Sequence, residues 1–198
     1  MLRAGQPAPD RSQIVSHAMT PVLIETAPVR RLAQGTPEFD AAMGQPEHQD
    51  LCDFMAYWES KREGGIPDRA AIDPVEIPKL LPNVLLIDVI GQPAYDFHYR
   101  LLGTAIVEVD GVDYRGSKLS EMVPSTSTFR HIWEHHLNAA AGTIELRQDS
   151  LRWTRDDSRD HVDYLILLLP LRRGGDSIET LFGFIHYLMH EPRRPWAQ

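Results

Sequence analysis

The run from Val84 to Ile90 (VLLIDVI) is apolar at almost every position, and the next run, Tyr95 to Leu101, is apolar only at every second one. No other feature restricts the possible folds as much. A short run that is apolar on both sides and rich in β-branched residues makes a strand buried on both faces. Strict alternation, with Tyr95, Phe97, Tyr99 and Leu101 on one side and Asp96, His98 and Arg100 on the other, makes a strand with one face toward water. Gly91, Gln92 and Pro93 break the chain between the two, so they form a hairpin. Upstream, Asp73 precedes Pro74 and Glu76 comes three residues after the aspartate, a helix start with a carboxylate at the N-cap and proline in the first position. Ile77, Leu80 and Leu81 give this short helix its apolar stripe, and Pro82 ends it. Downstream of Gly103 the apolar period lengthens to a helical one through Thr104, Ala105, Ile106 and Val109, and Gly111 and Gly116 punctuate the stretch up to Leu119.

The rest of the chain supplies helices and three further strands. Met1 to Pro46 is rich in Pro, Ala, Gln and Gly and predicts a disordered or loosely docked tail; its one apolar patch, Val22 to Ile24, would suit strand addition to a partner's sheet edge. Leu51, Phe54, Met55 and Trp58 recur at helical spacing and predict an amphipathic helix from His48 to Arg62. Its apolar face has two destinations, the chain's own sheet or a second subunit. Ser127 to Ala141 predicts another helix, with Phe129, Ile132, Trp133, His136 and Leu137 on one side. Ile144 and Leu146 then alternate in one phase and Leu151 and Trp153 in the other, so a bulge or break is expected near Gln148 to Ser150. Arg155 to Asp160 reads as a turn. Val162 to Leu171 is apolar on both faces and belongs in mid-sheet until Pro170 perturbs it, and Thr180 to His190 makes the last strand. The expected fold is α+β, a five-stranded antiparallel sheet with short helices on one face and an N-terminal amphipathic helix. Its expected limits are a tail over 1–46, a domain over 47–190 and a C-terminal tail over 191–198.

Charge and composition remove several functions. A net charge of −8 argues against a nucleic-acid partner, because phosphate neutralisation needs a basic face, and leaves room only for a local basic patch. Cys52 is the only cysteine, which excludes an intrachain disulfide and a thiolate-rich metal site and fits a cytoplasmic protein. The N-terminus has no apolar signal core, and the longest apolar run, Tyr164 to Leu171, is far short of the roughly 20 residues a membrane helix needs.

One string carries a catalytic pattern. His131, Glu134 and His135 match His-x-x-Glu-His, in which two histidines one helical turn apart share a zinc ion and the sequence describes a metal-dependent hydrolase. Glu179 or Glu191 could be nominated as third ligand. Against this, His136 makes the segment a short histidine-rich run, and the ordinary reading is helix histidines without a metal. Phosphate-cradling glycine loops and a Gly-x-Ser-x-Gly elbow are absent. Ser117, Ser120, Ser125 and Ser127 read as turn chemistry. Arg69 and Arg100, if buried, want a carboxylate such as Asp73 or Asp88.

The segments YWESKREGGIPDRAAIDPVEIPKLLPNVLLIDV (from Tyr57) and FHYRLLGTAIVEVDGVDYRGSKL (from Phe97) place a hairpin, a Gly-Thr-Ala helix start and spaced Gly111 and Gly116 with Leu119 before a longer helix and three strands. This order resembles the PAS domain, and within it small stand-alone bacterial PAS-type proteins, over residues 51 to 190. The resemblance implies a cytoplasmic sensory or protein-interaction module without catalysis of its own, acting on a signalling partner as a homodimer. It implies a small ligand between sheet and helices, for which Tyr99, Leu101, Thr104, Ile106 and Trp133 are the candidates. It also implies dimer or partner contact through the helix carrying Leu51, Phe54, Met55 and Trp58. Haem in such a fold would be held by His131, His135 or His136. Flavin photochemistry would need a cysteine beside the pocket, and Cys52 lies outside it.

Overall fold

The computed structural model describes residues 30–91, 95–123, 130–151 and 162–188. Six strands form one antiparallel sheet: β1 (Arg30–Ala33), β2 (Val84–Ile90), β3 (Asp96–Leu102), β4 (Glu145–Leu151), β5 (Val162–Arg172) and β6 (Ile178–Leu188), in the order β1-β4-β5-β6-β2-β3. The helices are α1 (Pro37–Met43), α2 (Gln49–Ser60), α3 (Thr104–Asp110), α4 (Leu119–Met122) and α5 (Arg130–Ala140). The fold is α+β with an antiparallel sheet, as expected, and has one strand more than the five expected.

The central hairpin β5–β6 is apolar on both sides because the sheet is covered on both. Alternate residues separate two cores. Leu165, Leu167, Leu169, Phe182 and Phe184 pack with α1 and α2, while Tyr164, Ile166, Leu168, Ile185 and Tyr187 pack with α3, α4 and α5. Of the two destinations for the face of α2, the fold uses the one inside the chain. Leu51, Phe54 and Trp58 are buried, Phe54 lies 4.4 Å from the ring of Phe182, and the Trp58 indole donates to Pro170 O at 3.0 Å. Met55 is only partly buried against the same core.

Within the span 1–46, β1 adds to the free edge of β4, and α1 buries Phe39 with Thr36 capping its first turn. Three expectations are corrected by pairing and packing. The stretch around Asp73 is a set of single turns, Arg69–Ala71, Pro74–Glu76 and Leu81–Asn83, instead of one helix, since Pro74, Pro78 and Pro82 recur too closely for a ladder. Asp73 does cap its turn, accepting from Val75 N at 2.9 Å. The register break falls in β3 and not in β4. Leu86 pairs with Leu101 and Ile87 with Tyr99, leaving Arg100 as the extra residue, while β4 pairs with β5 without a shift. Finally, β5 runs through Pro170, which lies beyond the last β4 partner, Leu167, where no ladder on that side needs its missing N–H. Val22 to Ile24, Ser125, Ser127, Phe129, Trp153, the 155–160 turn and the 189–198 segment with Glu191 lie outside the described residues.

Gly103 joins β3 to α3 under tight constraint. Its N–H donates to Val84 O at 2.7 Å, and a Cβ at this position would lie 2.1 Å from Pro82 O. The close approach sets where α3 begins and therefore where its far end reaches the sheet.

Candidate functional site

The space between the sheet and α3–α5 contains more polar side chains than a core of this kind needs. Seven residues of α3 bring Asp110 to the helix C-terminus, where Gly111 in the left-handed region turns the chain away. Asp110 is buried, 3% exposed, and among the described residues no cation is paired with it; Tyr187 O–H of β6 donates to Oδ1 at 2.8 Å and Tyr114 O–H to Oδ2 at 3.0 Å. Burial raises its pKa to about 6, the two phenol hydrogen bonds opposing. A helix C-terminus adds unpaired carbonyls, which also disfavour an anion.

Beside it, α5 supplies two fully buried histidines. His136 donates from Nδ1 to Ile132 O at 2.9 Å, so its Nε2 accepts the Tyr99 O–H at 2.8 Å. Burial lowers its pKa to about 4, leaving it neutral. His135 donates from Nε2 to Glu145 O at 3.1 Å; burial first, and then the nearby Arg147 charge, hold it well below the usual imidazole range. Arg147 of β4 points under α5 and is 2% exposed. It donates to His131 O at 3.0 Å and pairs with Asp149 at 3.1 Å, and His131 Nε2 stands 3.3 Å from the same carboxylate oxygen. Burial would raise Asp149, but the His131 hydrogen bond and the Arg147 charge keep it below the ordinary carboxylate value. Arg147 Nε and His135 Nδ1 are buried with no hydrogen-bond partner among the described residues.

The five ligand candidates divide. Tyr99 and Ile106 are buried on this side, and Trp133 is partly buried, its indole donating to Val123 O at 3.4 Å. Leu101 and Thr104 do not face the space. The extra residue at Arg100 turns Leu101 to the α2 side of the sheet, 43% exposed, and Thr104 is exposed at the start of α3. Leu137 is likewise exposed. Arg100 is exposed and 3.5 Å from Asp88, and Arg69 reaches the carbonyl of Ile72.

The His-x-x-Glu-His side chains are not brought together: His131 meets Asp149, Glu134 pairs with Arg31 of β1 at 2.5 Å, and His135 turns to Glu145 O. Glu179 accepts from Ser177 instead. Among the described residues no group of three or more His, Cys, Asp and Glu side chains is placed to hold a metal ion. A histidine ligand for haem would have to give up these same contacts. Cys52 sits in the other layer, its thiol directed at Met43 O. No helix among the described residues is long and apolar enough to cross a membrane.

A cavity of about 410 Å³ opens on the α1 side, between Arg30, Leu32, Glu38, His48, Leu165 and Leu188. It is not where the ligand was expected. The residues that sequence reasoning missed are Asp110, Tyr114, Arg147, Asp149 and Tyr187. Asp110 before Gly111 reads as a turn pair, and the charges of β4 read as a solvent face because nothing in the string shows that α5 covers it.

A family model described as PAS domain matches residues 46–186. The match runs from the turn before α2 into β6, so β1 and α1 precede it. No curated protein and no solved structure matches the chain significantly.

Proposed function

The chain belongs to the PAS-domain family, and from that membership we propose that it is a sensory and protein-interaction module that binds a small polar molecule between the sheet and α3–α5. It carries out no catalysis of its own and passes its state to a signalling partner. One observation carries the ligand: a buried donor, Arg147 Nε, and a buried acceptor, His135 Nδ1, stand without a hydrogen-bond partner among the described residues beneath α5, next to the His131–Asp149–Arg147 ion pairs. Buried polar atoms left unpaired cost about 1–3 kcal/mol each, and a molecule offering one acceptor and one donor recovers that cost. Tyr99, Ile106 and Trp133 are its apolar and aromatic walls. Native mass spectrometry of the full chain is expected to show a co-purifying mass that is lost on denaturation and weakened in Arg147→Leu. Tyr99→Phe serves as the second variant should Arg147→Leu fail to fold. Bare polypeptide mass from a folded sample would sink the ligand reading.

We put the interaction surface on a face other than that of α2. Leu51, Phe54 and Trp58 are taken up inside the chain, whereas Leu101 and Ile90 are exposed on the part of the same sheet face that α2 leaves uncovered. We place contact between two copies of the chain on this β2–β3 face.

A further inference from the structure

We propose that Asp110 is a proton-operated latch, its carboxyl accepting from two tyrosines when ionised and donating to Tyr114 when protonated, so that one proton resets how α3 and the 111–118 segment are tied to β6. The geometry sets the two states. An ionised carboxylate only accepts, and here each oxygen takes one phenol hydroxyl, from Tyr187 and from Tyr114. A protonated carboxyl must place its own hydrogen. Tyr187 gives the shorter bond, to Oδ1, so it stays a donor. Tyr114 gives the longer one, so its hydroxyl is the one that turns away while its oxygen accepts from Oδ2.

The groups facing Asp110 from other elements stay fixed over the same pH range. Burial raises the phenols of Tyr99 on β3, Tyr164 on β5, Tyr187 on β6 and Tyr114, so all remain protonated. His136 on α5 is neutral above about 4, and His135 is depressed further. Arg147 on β4 is already paired with Asp149, Asp113 and Arg115 pair with each other outside, and Glu108 is exposed on the far side of α3. Asp110, raised to about 6 by burial, is therefore the group of this cluster that titrates between pH 5 and 7.

The segment that carries Tyr114 is itself fastened to the sheet edge. Gly116 N donates to Tyr99 O at 2.8 Å and Tyr99 N to Ser117 O at 3.0 Å, and the Tyr99 hydroxyl reaches His136. A change at Tyr114 thus arrives at β3 and α5. The latch needs no ligand in the chamber, so its failure and that of the ligand reading are separate outcomes.

The test is a titration of the full chain carrying ¹³C-labelled aspartate and tyrosine, followed by NMR from pH 4.5 to 8. One carboxyl signal, absent in Asp110→Asn, is expected to titrate near pH 6, with ring signals of Tyr114 and Tyr187 shifting at the same midpoint. Tyr114→Phe and Tyr187→Phe each remove a donor to the ionised form and should raise that midpoint; they also identify the signals if Asp110→Asn does not fold. An Asp110 midpoint below pH 5, or tyrosine signals that ignore it, overturns the latch.

Discussion

Asp110 is an anion in an apolar interior at neutral pH, held by two phenols with no cation among the described residues, and its stability effect has a definite sign. Its folded pKa, about 6, lies above the 3.8 of the free side chain, so the stability it contributes is full at low pH and is lost as pH rises through 6. The shift corresponds to on the order of 3 kcal/mol at pH 7.5. Asp110→Asn keeps one donor and one acceptor and mimics the protonated form. Thermal melts of the two proteins should differ least below about pH 3.8, and at pH 7.5 the variant should be the more stable. Equal melting temperatures at both pH values would remove the buried charge from the account. The sequence concealed this residue, because an aspartate before glycine also describes an exposed turn and only the tertiary fold brings Tyr187, 77 positions away, onto its carboxylate. Arg147 was hidden in the same way, its helix contact made from a strand position that alternation assigns to water.

Among the elements, α2 was the most legible as a helix, since four large apolar residues at helical spacing define one face; where that face goes was open between the sheet and a second subunit, and the fold uses the sheet. Trp58 is the centre of that contact, buried against the hairpin and bonded to Pro170 O. Trp58→Ala is expected to cost about 3–5 kcal/mol, read as a lower denaturation midpoint with an unchanged slope. A loss under about 1 kcal/mol would mean that α2 is only loosely docked. The alternation of β3 was equally plain, yet it stops at Arg100, where a bulge inserts one residue and exchanges Leu101 for Leu102 on the inner face. A string of side chains gives no register. For the same reason β1 went unread: Arg30 to Ala33 has too little pattern to declare a strand and becomes one only by pairing with β4.

At the scale of the whole molecule the sheet is a partition with unequal cover. α1 and α2 close one face over β5 and β6, Val84 and Leu86 of β2 are buried in the same core, and the rest of β2 and β3 is left open, with Leu101 and Ile90 exposed beside Asp88, His98 and Arg100. Light scattering on the full chain is expected to give twice the monomer mass, and Leu101→Asp should return it toward the monomer. A wild-type monomer at high micromolar concentration would contradict the placement. The fold class and most element positions could be read ahead because period and breaker residues report local structure. The chamber could not, because its polar groups come from α3, α5, β4 and β6 and meet only after folding.

Tyr187 and His186 are successive residues of β6 that face opposite layers, one holding Asp110 and the other donating from Nδ1 to Asp50 of α2 at 2.8 Å. Their shared peptide therefore ties a carboxylate of α3 on one side to a carboxylate of α2 on the other through the thickness of a single strand.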